Sequence, residues 1–413
     1  MDNLILDLEL IKKYSLKEKG KVLIAYSGGL DSHALLHHLA NNSDLSVRAI
    51  HIHHGLQTVA DSWVNHCQTI CKALNISLEI VYLNLNPEKG ESIEEIAREG
   101  RYQALKSSLQ AGETLLTAQH QNDQSETLLL QLFRGAGVQG LAAMPKLCDF
   151  GKGKHARPLL SVTRQELEAY AKEHQLDFIE DPSNQDTSFD RNFLRKKILP
   201  QLRERWLGLD KALNRSASIQ AETKQLLDEI AAEGLSHVCA CKTNTLHIEK
   251  LQLHSMIRQK LILRYWIAKS GFKYPSEKKL QHIFSDVINA RDDAQPLVEW
   301  QDVQIRRYKK QLFIMPTLSE HDPSQSFNWD GNSALQIDSL DLVLSPKILH
   351  KQKQAVTVRF RQGGEKVHSP TRNKTISLKN LLSEAGIPPW QRPRVPLIYA
   401  DKKLIQIIGL KPK

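Results

Sequence analysis

Short apolar runs alternate with amphipathic stretches between residues 20 and 130. The apolar runs cover residues 22–26, 47–53, 78–83 and 115–118, and helical patterns cover 30–39, 61–74, 92–109 and 124–133. Such alternation is typical of a parallel sheet wrapped by helices. The pattern therefore predicts an α/β fold, a Rossmann-like doubly wound parallel sheet. In such sheets, ligands bind outside the carboxyl ends of the strands.

The rest of the chain changes its pattern twice. Residues 207–235 and 250–290 have helical spacing, with a few strands near 298–315. A stretch rich in Pro, Ser, Asp and Asn at 319–332 indicates a linker, and 150–155 and 181–190 indicate loops. The pattern predicts an α/β domain at 1–205, a mainly helical domain at 206–318 and a small α+β domain at 333–413.

Composition indicates a packed cytoplasmic protein without a membrane span. Of the 413 residues, 41% are hydrophobic and 25% are charged. No apolar run approaches the roughly 18 residues that a membrane helix needs. The first residues carry an acid where a signal peptide would be basic. The five cysteines lack a C-x-x-C pair, which favours structural thiols over metal or redox chemistry.

Positive charge is concentrated at the C-terminal end. Residues 351–413 contain 14 Lys plus Arg and 3 Asp plus Glu, a net charge of +11, whereas the whole chain carries +10. This segregation predicts a module that binds a polyanion, attached to a near-neutral body. The alternative is a soluble domain that is basic without binding nucleic acid.

A glycine turn follows the first apolar run directly. It reads Ser27-Gly28-Gly29-Leu30-Asp31-Ser32. Glycines let backbone amides approach an anion, and the next helix directs its free N–H groups at the same place. A carboxylate beside phosphate requires a bridging cation, which predicts Mg²⁺ at Asp31. The turn is neither a Walker A loop nor a dinucleotide fingerprint, and its alternative is an ordinary tight turn.

The ordered set of motifs resembles the PP-loop (N-type) ATP pyrophosphatases, and within them the tRNA(Ile)-lysidine synthetase family. The resemblance rests on residues 27–32, 51–56, 97–102, 118–127, 134–137, 157–159, 180–184, 191–195 and 386–392. It implies a defined reaction. ATP adenylates the wobble cytidine of tRNA(Ile) with a CAU anticodon, and free L-lysine displaces AMP to form lysidine. Pyrophosphate is released, and codon and amino-acid identity change from Met to Ile.

The candidate site residues fall into four groups. For ATP we expect Ser27, Gly28, Gly29, Leu30, Asp31, Ser32, His51 and His53. For catalysis we expect Asp31, His120, Asp123 and Arg191, with Asp31 and Asp123 as Mg²⁺ ligands. For lysine or tRNA we expect Arg98, Arg101, Glu126, Arg134, Arg195, Trp390 and Arg392. A homodimer is a further expectation.

Several of these assignments have alternatives. His51, His53 and His54 also permit a metal site, although nucleotide-pocket lining is favoured at a strand end. The arginines, at helical spacing, also fit surface charge. Trp390 fits either RNA stacking or the capping of a small core. Asn122 stands where the family often has an acid, so Asp123 is preferred as the ligand.

Two other functions compete with lysidine synthesis. A PP-loop thiolase or a glutamine-dependent synthetase would use related ATP chemistry, but no C-x-x-C pair supports the first. An RNA-binding scaffold with an inactive nucleotide fold is the non-enzymatic alternative. The presence of both Asp31 and Asp123 favours an enzyme.

Overall fold

The computed structural model describes residues 20–53, 55, 60–83, 93–240, 244–291, 294–349, 355–369, 374–401 and 403–410. The chain folds as two compact units, Met1–Leu226 and Leu227–Lys413. Within the described residues, none of the helices combines the length and apolar character that a membrane crossing demands.

A six-stranded sheet forms the centre of the first unit. Its strands are β1 (Lys21–Ala25), β2 (Ser46–His53), β3 (Ser77–Tyr82), β4 (Thr114–Leu116), β5 (Leu147–Phe150) and β6 (Gly153–Ala156). The spatial order is β3-β2-β1-β4-β6-β5, and every neighbouring pair is parallel except β5 with β6. The predicted doubly wound parallel sheet is confirmed, with one antiparallel edge strand added.

Helices cover both faces of this sheet. They are α1 (Leu30–Asn42), α2 (Ala60–Ala73), α3 (Ile93–Ser108), α4 (Gln121–Phe133), α5 (Val138–Leu141), α6 (Arg164–Glu173), α7 (Asp190–Phe193) and α8 (Leu199–Arg205). Alternate β1 residues face opposite sides, so Val22 and Ile24 pack with α1, α2 and α6 while Leu23 packs with α3. Burial on both faces explains why the strands are continuous apolar runs.

The segments predicted as loops contain regular structure. Residues 150–155 form the turn and flanks of the β5–β6 hairpin, because Phe150 pairs with Gly153. Residues 181–190 contain a 3-10 turn, Pro182–Gln185, capped by the Asp181 side chain, which accepts from Ser183 N at 2.8 Å. A π-helical turn, Leu194–Ile198, joins α7 to α8. These additions are local and leave the predicted sheet unchanged.

The long helix α9 (Leu209–Val238) follows the catalytic fold, as its spacing predicts. The boundary between the two compact units falls inside it, later than the predicted boundary at residue 205. Its first half packs on α4, where Asn214 Nδ2 donates to Gln121 O at 3.1 Å.

The second unit combines helices with antiparallel sheets. Its helices after α9 are α10 (Ile248–Gln252), α11 (Met256–Lys269), α12 (Glu277–His282) with the π-turn Ile283–Ile288, and α13 (Leu378–Glu384). Its first sheet has the order β7-β8-β11-β10-β9, with β7 (Cys239–Ala240), β8 (Thr245–His247), β9 (Leu297–Trp300), β10 (Val303–Tyr308) and β11 (Gln311–Pro316). Helices therefore account for much of residues 209–288, and the sheet is larger than the strands predicted near 298–315.

A second, four-stranded sheet occupies the C-terminal region, in the order β12-β15-β18-β19. Its strands are β12 (Ser326–Trp329), β15 (Val356–Arg359), β18 (Leu397–Ala400) and β19 (Lys403–Ile407). Two ribbons accompany it, β13 (Leu335–Ile337) with β14 (Leu342–Leu344) and β16 (Lys366–Ser369) with β17 (Lys374–Ser377). The linker prediction for 319–332 is wrong in part, because β12 pairs with β15 and buries Trp329.

Candidate active site

The glycine turn at the carboxyl end of β1 is fixed by its own geometry. Gly28 has a φ of +83°, a conformation that favours glycine. A Cβ on Gly28 would lie 2.5 Å from Ile179 Cδ1, and Ile179 N donates to Gly28 O at 3.0 Å. An alanine would be strained by the positive φ and would also require the end of the Ile179 side chain to move. The backbone conformation is the main reason for glycine at this position.

Two serine hydroxyls form hydrogen bonds within the turn. Ser27 Oγ and Ser32 Oγ are 3.0 Å apart, and Ser32 Oγ also donates to Gly29 O at 3.0 Å. Gly29 precedes α1 without a side-chain cap, so the first amides of α1 keep their donor capacity for an anion. Leu30 is buried in the core, and only its backbone can contribute to such a site.

His120 connects the two predicted metal ligands. It begins α4 with a capping box, in which Asn122 N donates to His120 Nδ1 at 3.2 Å and His120 N donates to Asp123 Oδ2 at 3.0 Å. Because Nδ1 accepts, the neutral ring carries its proton on Nε2. That atom lies 3.8 Å from Asp31 Oδ2 and 3.5 Å from Asp123 Oδ2. The buried ring therefore faces both carboxylates.

Arg164 is a site residue that sequence reasoning missed. Its Nη1 donates to Asp31 Oδ1 at 2.7 Å, and its backbone N donates to Asn122 Oδ1 at 3.0 Å. Asn122 thus holds the start of α6 against the start of α4, which explains how an uncharged side chain serves at this position. The predicted capping box of Thr163 and Glu166 is present and marks where α6 begins. This capping box does not reveal that Arg164, the residue after Thr163, reaches Asp31.

Asp31 is electrostatically perturbed. Burial raises its pKa above the ordinary value and nearby Asp123 adds to the rise, while His120 and Arg164 oppose it. A divalent cation would relieve the repulsion between the two carboxylates, and carboxylate oxygens are ligands that Mg²⁺ prefers. Asp31 and Asp123 therefore fit a magnesium ion.

Glu126 is the most deeply buried acid of the site, with a side chain that is 1% exposed. Arg195 binds it through Nε and Nη2 at 2.6 and 2.8 Å, and Arg195 Nη2 also donates to Asp123 Oδ1 at 3.0 Å. Arg191 Nη2 donates to Thr127 Oγ1 at 2.7 Å, with its Nε 3.5 Å from Glu126 Oε2. The structure thus brings Arg191, Arg195, Glu126 and Asp123 together.

His51 and His53 lie near the carboxyl end of β2 and contact different residues. His51 is buried, with Nδ1 3.0 Å from Tyr26 O and 3.4 Å from Cys67 Sγ. The His53 ring lies 4.9 Å from the ring of Tyr82, an exposed residue that sequence reasoning did not single out. His54 lies outside the described residues. Across the described part of the chain, no group of three or more His, Cys, Asp or Glu side chains forms a metal site.

Three other predicted contacts lie on the surface. Arg98 is exposed, with its guanidinium 5.3 Å from the centre of the Tyr102 ring on the same helix. Arg101 on α3 and Arg134 at the end of α4 are exposed as well. Their side chains are accessible to a large ligand, and their role in tRNA binding stays a prediction.

The assignment of Trp390 and Arg392 to RNA contact needs correction. Trp390 is 9% exposed and packs edge-on against Phe313, with ring centres 5.4 Å apart. Arg392 is 7% exposed and donates to Ile387 O at 2.9 Å and to Tyr308 Oη at 3.1 Å. Both side chains are used inside the second unit, so the core-capping alternative for Trp390 is the right one.

Comparison with known proteins agrees with this geometry. A family model described as a PP-loop domain matches residues 4–202. Models described as the TilS substrate binding domain and the TilS substrate C-terminal domain match residues 246–313 and 356–412. The tRNA(Ile)-lysidine synthase of Coxiella burnetii is 41% identical over 408 residues, covering 96% of this chain and 90% of that protein.

The chain belongs to the tRNA(Ile)-lysidine synthase family. A second member, from Serratia proteamaculans, is 42% identical over 400 residues, covering 94% of this chain and 91% of its own length. Among solved structures, the U34-tRNA thiolase NcsA from Methanococcus maripaludis is 16% identical with a TM-score of 0.43, covering 52% of this chain and 78% of that one.

Proposed function

We propose that this member of the tRNA(Ile)-lysidine synthase family joins L-lysine to C2 of the wobble cytidine of tRNA(Ile) with a CAU anticodon. ATP is consumed to give AMP and pyrophosphate, through an adenylated cytidine. The observation that carries the proposal is the convergence of Asp31, His120, Asp123 and Arg164 beside the glycine turn. A carbonyl oxygen is a poor leaving group, and adenylation makes it a good one.

The glycine turn and α1 supply donors for the departing pyrophosphate. Backbone amides at the start of α1 are oriented before ATP binds, and the hydrogen bonds among Ser27, Ser32 and Gly29 hold the turn in that shape. Preorganised donors stabilise developing charge at little reorganisation cost. Mg²⁺ held by Asp31 and Asp123 would add to this by neutralising charge on the phosphate oxygens.

Arginines supply the remaining positive charge. Arg164 and Arg195 each pair with one of the two proposed magnesium ligands, at 2.7 and 3.0 Å. A cation bound to those carboxylates would displace the two arginines, and their guanidinium groups could then donate to phosphate. Arg191 is expected to act beside them. His120, which carries its proton on Nε2, orients both carboxylates rather than accepting a proton there.

Lysine requires negative charge in its own subsite. Asp123 and the buried Glu126 provide two carboxylates one helical turn apart on α4. An ammonium group entering there would replace one of the guanidinium contacts that Arg195 now makes to both. We therefore assign lysine to this side of the site and the phosphate chain to the side of Asp31.

The test is the mass of tRNA after incubation with ATP and each amino acid in turn. A mass gain that matches lysine alone, on tRNA(Ile) with a CAU anticodon, is the expected result. The same tRNA with a different wobble base is the matched control and should gain nothing. Unmodified tRNA under all conditions, with ATP cleaved or not, would contradict the proposal.

A thiolase is the less favoured candidate. Cys67 and Cys71 are buried, and burial raises their thiol pKa to about 12 and about 11. A thiolate is the reactive form, so these two thiols are poorly suited to carrying sulfur. Sulfur in the modified tRNA would reverse this ranking. The basic C-terminal region as a tRNA-binding module, a homodimer and a cytoplasmic location stay predictions.

A further inference from the structure

We propose that an aromatic face beside the active site, formed by the rings of Phe189 and Phe193 with Lys197 next to them, binds anticodon nucleotides next to the reacting cytidine. The rings would stack on the bases and Lys197 would pair with phosphate. The inference rests on the proposed function and adds a surface that determines how the anticodon loop is held. The occupant is single-stranded RNA, recognised by base faces and phosphate charge.

The segment that carries this face is held firmly. On one side of α7 and the following π-turn, Arg191 and Arg195 bind Thr127, Glu126 and Asp123 of α4. Asn192 Nδ2 donates to Ser183 O at 3.1 Å and to Asp186 O at 2.8 Å. Side chains of three residues therefore anchor the segment to the site and to the preceding 3-10 turn.

The opposite side of the same segment presents aromatic rings to solvent. Phe189 is 39% exposed and Phe193 is 47% exposed. Phe193 N donates to Phe189 O at 2.9 Å, so the two rings are one helical turn apart and share a face. A phenylalanine gains stability chiefly by burying its large apolar surface, and two on one exposed face leave that gain unused.

Charge identifies the occupant. Residues 189–205 contain six Lys or Arg and two Asp or Glu, and three of the cations, Arg191, Arg195 and Arg203, face acids outside this segment. Lys197 follows Phe193 by four residues and is exposed, and Lys196 contacts Gln185. An apolar protein partner would gain little from these cations, whereas a nucleotide offers both a ring to stack and a phosphate to pair.

The proposed chemistry creates a need for such a face. The wobble base must leave the anticodon stack to reach the carboxylates of Asp31 and Asp123, and its neighbours then lose a stacking partner. Aromatic side chains that stack on those neighbours replace the lost contact. Because Arg195 reaches Asp123, the segment borders the site, and the aromatic face on its other side is available to nucleotides that flank the base.

The test measures the affinity of the full-length protein for the isolated anticodon stem–loop, which avoids contacts elsewhere on the tRNA. Phe193→Ala should raise Kd about fivefold or more, and Phe189→Ala with Phe193→Ala together about thirtyfold or more. Phe193→Trp should keep the wild-type Kd, whereas Phe193→Leu should resemble alanine. Ile257→Ala, at an apolar residue that is 81% exposed in the second unit, is the matched control and should change nothing.

Other results would overturn the inference. Unchanged stem–loop affinity in the double variant, or full rescue by leucine, would show that the rings do not stack on bases. A changed association state by sedimentation velocity, with unchanged RNA affinity, would assign the face to a protein contact. Lysine incorporation by the wild-type enzyme separates the cases, since its failure rejects the proposed function while the stem–loop result still decides the face.

Discussion

The two compact units give their arginines different partners. In the first unit, Arg195 meets two carboxylates, on Asp123 and on the almost fully buried Glu126. In the second unit, Arg392 donates to a carbonyl oxygen and a tyrosine hydroxyl. The first arrangement pairs a partly exposed cation with two more deeply buried carboxylates, whereas the second satisfies a buried cation with neutral acceptors.

The difference separates a reactive site from a structural one. Opposite charges that are partly buried can exchange partners with a charged ligand, because the ligand replaces one ion pair with another. A cation that is satisfied by backbone and phenol oxygens offers no such exchange. Residue type alone therefore does not identify function, since both arginines have the same chemistry and only their partners differ.

The largest expected effect comes from removing a charge at the reactive site. Asp31→Asn should lower tRNA-dependent pyrophosphate release by about a thousandfold, because this change removes the partner of Arg164 and one of the two carboxylates proposed to hold Mg²⁺. Asp149→Asn, at a carboxylate whose side chain is 89% exposed, is the control and should keep wild-type activity. Comparable rates for the two variants would show that the charge of Asp31 is not required for the reaction.

A paired substitution tests the comparison directly. Arg195→Met should reduce lysidine formation about a hundredfold or more, since Glu126 and Asp123 lose their shared partner. Arg392→Met should leave kcat of the folded enzyme unchanged and cost about 1–3 kcal/mol of stability. Thermal unfolding and turnover together give the answer. Weaker tRNA binding by Arg392→Met without a lower Tm would restore Arg392 as an RNA contact.

Acid should weaken the first unit through His155. Burial lowers the pKa of this histidine from 6.5 to about 3, so the folded form stays neutral while the unfolded form takes up a proton. Stability is present above pH 6.5 and is lost as the pH falls toward 3, by about 2 kcal/mol at pH 5. Hydrogen exchange read by mass spectrometry on peptides of each unit measures this.

A matched variant isolates the contribution of this histidine. His155→Asn removes the titrating ring beside Thr117, whose hydroxyl lies 2.7 Å from Nε2. The first unit should then lose less stability between pH 7 and pH 5 than it does in the wild type. An unchanged pH profile would mean that other buried histidines, such as His33, cause the acid sensitivity.

The smallest effect concerns surface charge on the second unit. Lys366→Gln with Lys379→Gln removes two exposed cations from the basic C-terminal region. The slope of log K for tRNA against log salt should become shallower by about 0.7–0.9 for each phosphate that the variant no longer neutralises. Lys72→Gln with Lys211→Gln, exposed on the first unit, should leave the slope unchanged. Equal changes in both pairs would mean that charge position is unimportant.

The sequence predicted the features that depend on local pattern. Strand and helix periodicity indicated the parallel sheet, whereas the order of its strands came from the structure. Asp31, His120 and Asp123 were found because each stands at the end of a predicted strand or the start of a helix. Their meeting around one imidazole is what the structure added.

Features that depend on distant packing were not predictable. Arg164 is far from Asp31 along the chain, and only the sheet brings the starts of α1, α4 and α6 together. The burial of Trp390 depends on Phe313 and Tyr308 of the preceding sheet. A motif with arginines and an aromatic ring predicts RNA contact only where the ring is accessible, and accessibility is a property of the fold.

The amide of Ile179 that bonds to Gly28 has one more consequence. The same stretch of backbone continues through Asp181 to Phe189, so it connects the glycine turn to the segment where RNA is expected. Thermodynamic linkage makes any such coupling reciprocal. Bound tRNA would raise the affinity for ATP by the same factor by which bound ATP raises the affinity for tRNA.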